Sequence, residues 1–336
     1  MQSPSKVGKY ELEKCLGGSV ARVYLARDSV LGRRVALKVL SDAGVADPEA
    51  KQRFLQEARV SSSIRHQNIV SVYDFGEEQG RPYIVMEFVE GESLRDAIRN
   101  GHLGDLRSRL KIALAVAQAV DHIHVRKIIH RDLKPDNIHV DSGGKVLLMD
   151  FGIAKAEGVH LTRAGFTLGT PYYMAPEQVQ GKLLTSQADV YSFGILLYEL
   201  LTGVRPVREG SVDQIFQEIL TESLNMEPLK ALHLPPALEL LIERCTSKQP
   251  DGRPAGLGEV CQELREVLNG IPEAQAPRVE PPFVDTSFAQ TSFMDVLIQM
   301  LPAPLRKQNN LVWLSCSAVL IFTVLLLGVL RLVDAI

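Results

Sequence analysis

The run His130-Arg131-Asp132-Leu133-Lys134-Pro135-Asp136-Asn137 packs charged and amide side chains into eight positions, and Asp150-Phe151-Gly152 begins eighteen residues after Asp132. Ala175-Pro176-Glu177 follows. Upstream, Val35-Ala36-Leu37-Lys38 reads as a strand, with Val35, Leu37 and Val39 on one face and Ala36 and Lys38 on the other. Arg53 to Ile64 reads as a helix that carries Glu57. Leu110 to Val125 reads as a second, with Ile112, Val116, Val120 and Ile123 on one stripe. Beyond residue 180 the pattern is mostly helical, with Val190–Thr202 stopped by Gly203 and a further helix over Ala237–Cys245. Strands come first and helices later, so residues 10–268 predict an α+β body of two lobes.

Five ordered motifs on the expected elements resemble the protein kinase family, over about three quarters of the chain. The resemblance implies a β-rich N-lobe and a mostly helical C-lobe. It implies ATP as co-substrate, protein substrates, and Mg²⁺ or Mn²⁺, between which oxygen ligands do not discriminate. Phosphoryl transfer is mainly positioning plus neutralisation of spreading negative charge. In the matching positions, Asp150 and Asn137 supply hard oxygen ligands to the metal. Lys38 meets the α and β phosphates, and Glu57 aims it. Asp132 accepts the proton of the substrate hydroxyl. Lys134 faces the transferred phosphate and marks serine/threonine specificity, while Thr170 helps shape the substrate-docking loop. Glu177 is expected to pair with Arg253, and Asp189 to brace the catalytic loop. The adenine site falls between the lobes, with Met86 as gatekeeper, Glu87, Phe88 and Val89 as hinge, and Val23 and Ala36 as roof. Arg131 beside Asp132 implies a phosphate partner on the activation segment, where Thr162 and Thr167 are the candidates and Lys155 a second cation. Thr286, Ser287, Thr291 and Ser292 are weaker candidates in the linker.

Three positions depart from the family pattern. Leu16-Gly17-Gly18-Ser19-Val20-Ala21-Arg22-Val23 is one residue short of the glycine loop, and its third glycine is Ala21, which resists positive φ. His139 stands where an aliphatic residue normally lies under adenine; it serves as a flat floor, stacks on the base, or brings a titratable charge into the site. Ser61, one turn after Glu57, is small and weakens the packing behind it. These departures leave a membrane-anchored pseudokinase scaffold, which recruits partners and has weak or no transfer activity, as the alternative to an active enzyme. The five groups that transfer requires are all present, which favours the enzyme.

Lys+Arg 37 against Asp+Glu 40 leaves a net charge of −3, which argues against a nucleic-acid partner. The four cysteines form no Cys-x-x-Cys pair, and no disulfide framework is expected. The N-terminus lacks the apolar stretch of a secretory signal. Residues 269–310 form a linker interrupted by six prolines, from Pro272 to Pro304. Within it Phe293, Val296, Leu297, Met300 and Leu301 keep helical spacing, fitting a membrane-surface helix or a transient one. Leu311 to Leu330 are twenty residues without a charge, about 30 Å as a helix and enough to cross a bilayer. Arg306 and Lys307 before it place the preceding body in the cytoplasm. The expected order is a tail over 1–9, the kinase domain over 10–268, the linker, the span over 311–330 and a tail over 331–336. The motifs are similar to those of bacterial serine/threonine kinases with one membrane span. With six residues beyond the span, inputs are expected from cytoplasmic partners, membrane proteins or self-association that drives trans-autophosphorylation.

Overall fold

A computed structural model of the chain describes residues 6–18, 20–141, 143–150 and 171–272. Phe151, Gly152, Lys155, Thr162, Thr167, Thr170, the linker beyond Pro272 and the predicted span 311–330 lie outside the described residues.

The first lobe is built on a six-stranded antiparallel sheet. Its strands are β1 (Lys6–Val7), β2 (Tyr10–Gly17), β3 (Ala21–Asp28), β4 (Arg34–Leu40), β5 (Val72–Glu78) and β6 (Arg81–Glu87), in the order β1-β2-β3-β4-β6-β5. The alternation read in β4 sorts its side chains onto two faces. Val35, Leu37 and Val39 pack with Tyr10, Tyr24, Ala26 and Val85. Ala36 and Leu40 pack on the other face with Phe54, Ala58, Ile84 and Met86. Two helices join β4 to β5, α1 (Asp42–Ala46) and α2 (Pro48–Ser63). α2 starts five residues before the predicted Arg53, because the Asp47 side chain accepts from the Glu49 and Ala50 amides and Pro48 occupies the first turn. That first turn is polar, so apolar periodicity does not register it.

The second lobe is helical, with a small sheet of β7 (Glu92–Ser93), β8 (Ile138–Val140) and β9 (Val146–Leu148) beside the connection from β6. Its helices are α3 (Leu94–Asn100), α4 (Leu106–His124), α5 (Pro176–Val179), α6 (Gln187–Thr202), α7 (Val212–Thr221), α8 (Glu227–Lys230), α9 (Pro236–Cys245) and α10 (Leu257–Gly270). α4 begins at Leu106 rather than Leu110, capped by Asp105, whose carboxylate accepts from the Ser108 amide at 2.9 Å. α6 is buried from Ala188 to Leu201 on every side. Such a helix carries the interior of a domain. It ends at Gly203, whose φ of 78° caps it in the left-handed region. α4, α6, α9 and α10 share one continuous core, to which Ile138 on β8 and Val146 and Leu148 on β9 also belong. Among the described residues no helix is long and apolar enough to cross a membrane.

Candidate active site

Two side chains from the sheet lobe meet one from the loop after β9. Lys38, on the inner face of β4, donates to Glu57 Oε1 of α2 at 2.7 Å and to Asp150 Oδ1 at 2.8 Å. Burial disfavours the Lys38 ammonium, yet Asp150 and then Glu57 outweigh it, so its pKa lies above the ordinary lysine value. Burial raises the Glu57 carboxyl in turn, with Lys38 opposing. Ser61 is itself buried, and the Lys38–Glu57 pair forms although Ser61 is small.

The loop that carries Asp132 hangs from α6. Asp189, fully buried, accepts from the His130 amide at 2.7 Å and the Arg131 amide at 2.9 Å. His124 Nε2 contributes a third contact to it at 2.7 Å. These contacts hold the Asp189 carboxyl below its ordinary value against the opposing effect of burial. Arg131 has φ 66°, a left-handed conformation that costs a non-glycine residue about 1–3 kcal/mol. It is held there from both sides, since its carbonyl also accepts from Gln178 Nε2 at 2.8 Å.

Within the loop, Lys134 Nζ donates to Asp132 Oδ2 at 2.9 Å. Asn137 Nδ2 donates to the Asp132 carbonyl at 2.8 Å and to Oδ2 at 3.1 Å. With its amide nitrogen so engaged, Asn137 has its amide oxygen left for a ligand. That oxygen and the Asp150 carboxylate are hard donors that fit Mg²⁺ or Mn²⁺. Among the described residues no group of three or more His, Cys, Asp or Glu side chains could hold a metal alone. Two protein oxygens therefore suit an ion that completes its shell with phosphate and water.

The apolar side of the cleft assembles as one cluster. Ala36 and Met86 are buried there, and Val23, Phe88 and Met149 pack against them. Glu87 donates its amide to the Ser71 carbonyl at 2.9 Å, so it has only a carbonyl to offer a base. Its carboxylate pairs with Lys145 at 2.9 Å. Val89 is half-buried at the exit of this connection. His139 sits on β8 between Ile138 and Val140, whose side chains turn to the helical core, so alternation turns the imidazole the other way. Burial lowers its pKa, so the ring is neutral at pH 7.

The glycine turn corrects one expectation. Ala21 needs no positive φ, because it lies in extended β3. The positive φ values fall on Gly17 and Gly18, at 139° and 99°. A Cβ on Gly18 would stand 2.0 Å from the Ala21 carbonyl oxygen, so only glycine closes this turn. Leu16 is exposed, and Gly17 pairs with Val23 across a register shift. The Val20 carbonyl accepts from the Ser41 amide at 2.9 Å, extending the β3–β4 ladder to the base of the turn.

Glu177 and Arg253 form a two-bond pair at 2.7 and 2.9 Å, both buried. Sequence reasoning missed two buried polar groups. One is His124, although it continues the α4 spacing of Ala113, Ala117 and Val120, where a polar residue must find a partner. The other joins Arg95, Tyr173 and Glu199. Arg95 donates to Glu199 at 2.5 Å, to the Tyr173 hydroxyl at 2.5 Å and to Asp136 at 3.1 Å, and the Tyr173 hydroxyl donates to Glu199. A carboxylate set among the apolar residues 195–201 of α6 was the available signal.

The family model for the protein kinase domain matches residues 10–266. The chain is 36% identical over 283 residues to a probable serine/threonine-protein kinase of Streptomyces coelicolor, covering 81% of this chain and 42% of that protein. It is 40% identical over 247 residues to the serine/threonine-protein kinase PrkC of Bacillus subtilis, covering 72% and 38%. A crystal structure of a kinase-domain variant of PknI from Mycobacterium tuberculosis superposes with a TM-score of 0.62 at 28% identity, covering 80% of this chain and 99% of that one. The chain thus spans about two fifths of the length of the curated relatives it matches.

Proposed function

Because the chain belongs to the protein kinase family, we propose that it transfers the γ-phosphate of ATP to serine and threonine hydroxyls of proteins, itself included. The observation that carries this is Lys38, held between Glu57 at 2.7 Å and Asp150 at 2.8 Å. That arrangement aims an ammonium group at the phosphates from one lobe and brings a metal-binding carboxylate from the other. Asp132 receives the proton as the acceptor oxygen bonds to the γ-phosphorus and the bond to the ADP oxygen breaks. Lys134, already on Asp132, keeps a positive charge where negative charge develops. A divalent ion held by Asn137 and Asp150 would neutralise the phosphate oxygens. The short glycine turn supports a looser cover over the phosphates, and so a raised KM for ATP. PrkC is named a serine/threonine-protein kinase and the Streptomyces protein a probable one, and Lys134 beside Asp132 fits that acceptor class.

The second part of the proposal is a tether. The uncharged segment 311–330 is long enough to cross a bilayer, with the catalytic body on the side of Arg306 and Lys307.

The test is transfer from labelled ATP to the chain itself and to a generic protein, with Mg²⁺ or Mn²⁺, beside Lys38→Met and Asp132→Asn. Label on serine or threonine that both variants abolish is the expected outcome. A folded wild type that transfers nothing with either metal would leave the scaffold reading in its place.

A further inference from the structure

A cleft of about 410 Å³ opens on the helical lobe beside the catalytic loop, between α3 and the turn that follows α6. Four guanidinium groups line it, those of Arg95, Arg99, Arg205 and Arg208, against two carboxylates, Glu199 and Glu209. Glu199 is closed to any ligand, because its side chain is 3% exposed and is held by Arg95 and Tyr173. A basic substrate residue therefore finds no buried carboxylate here. Arg95 is spent on Glu199, Asp136 and Tyr173. Arg99 pairs with Asp96, and Arg208 with Glu218 and Glu222, none of which lines the cleft.

Arg205 differs from the other three. Its guanidinium lies over the Tyr172 ring, 4.2 Å from the centroid, which fixes the fork in place. Its carboxylate partner is Glu209, four residues on and 2.7 Å away, whose side chain is 80% exposed. An exposed pair of this kind holds weakly. An incoming carboxylate displaces it at little loss and gains a charge-assisted, two-bond contact with a fork already ordered. The cleft is joined to the chemistry through Tyr173. Its hydroxyl bonds Arg95, and the residue also lines the small hollow that Asp132 and Lys134 line.

Resting on the kinase reading above, we propose that Arg205 is a specificity-determining residue. It receives an aspartate or glutamate side chain of the protein substrate, placed near the acceptor hydroxyl in sequence.

The experiment uses the full chain and a positional set of threonine peptides with Glu, Lys or Ala at each flanking position in turn. The expected result is a preference for Glu over Lys of about fivefold or more in kcat/KM at one position, carried by KM for the peptide. Arg205→Gln should bring that position level with Ala, and Arg205→Glu should turn the preference toward Lys. Thermal melts of both variants check folding, and the Gln variant decides if the Glu variant melts early. Equal use of Glu and Lys at every position by an active wild type overturns the proposal alone, as does an acidic preference that survives in Arg205→Gln. A folded wild type that labels neither itself nor any peptide overturns the kinase reading and this proposal with it.

Discussion

Removing one partner from a buried ion pair is costlier than never having built the pair, and Arg253 shows how far that reaches. Beyond its two bonds to Glu177, its guanidinium donates to the carbonyls of Ser247, Gln187 and Lys248. Arg253→Ala strands a buried carboxylate, so a loss of about 3–5 kcal/mol is expected from urea denaturation. Pairing Arg253→Met with Glu177→Leu should recover only part of it, since three carbonyls still lack their donor. Full recovery would mean that those carbonyls find other partners. Lys38 obeys the same rule with the opposite emphasis. Its two carboxylates hold its charge in a buried site, so the cost of burial is met by the groups that also aim it.

At the scale of elements, close approach and titration make separate predictions. Gly194 lies inside α6, and a Cβ there would stand 2.7 Å from Cys245 Cβ of α9 and from the Thr246 side chain. Gly194→Ala gains about 1 kcal/mol of helix propensity but overpacks a filled core at about 1–3 kcal/mol. Net destabilisation, seen as a lower urea midpoint, is expected; a higher midpoint would show that the two helices separate cheaply. The stretch after α2 meets α4 through His66 and His122, whose rings stand 4.8 Å apart. Burial lowers both pKa values, helped for His66 by His122 and for both by Arg126, with a hydrogen bond to the Arg65 backbone and then Asp121 opposing at His122. Stability is then complete above the unfolded value of 6.5 and falls as pH drops below it, because the unfolded chain binds protons that the folded one refuses. Melting temperature should fall from pH 7.5 to 5.5, and His122→Phe should lessen the fall; an equal fall in the variant would place the cause elsewhere. Much of this scale was legible in the sequence. β4 showed its two faces, α4 showed its interior stripe, and α6 showed its C-terminal stop at Gly203. The starts of α2 and α4 were not, because Asp47 and Asp105 act through backbone hydrogen bonds that apolar spacing does not register. The union of Arg95, Tyr173 and Glu199 was out of reach, since it joins three elements far apart in the chain.

For the whole molecule, the candidate catalytic groups are divided between two supports. Lys38 and Glu57 belong to the sheet lobe, while Asp132 and Asn137 belong to the helical one, where Asp189 braces their loop. The motifs made the lobes and most of the candidate site legible, because each motif lies within a short run. The tether is a matter of composition alone. If residues 311–330 cross a bilayer, Leu320→Arg with Phe322→Arg, each costing about 2.5–3.5 kcal/mol near the helix centre, should move the chain from the alkali-washed membrane pellet to the supernatant. A chain that stays in the pellet with both arginines is held by something else. Asp189 has one further consequence. Amides in a loop ordinarily trade their hydrogens for solvent deuterium within moments, through small local openings. Those of His130 and Arg131 are bonded to a carboxylate fixed in α6, which is buried on every side. They should keep their hydrogens as long as the interior of α6 does, so that part of the catalytic loop exchanges on the timescale of the core.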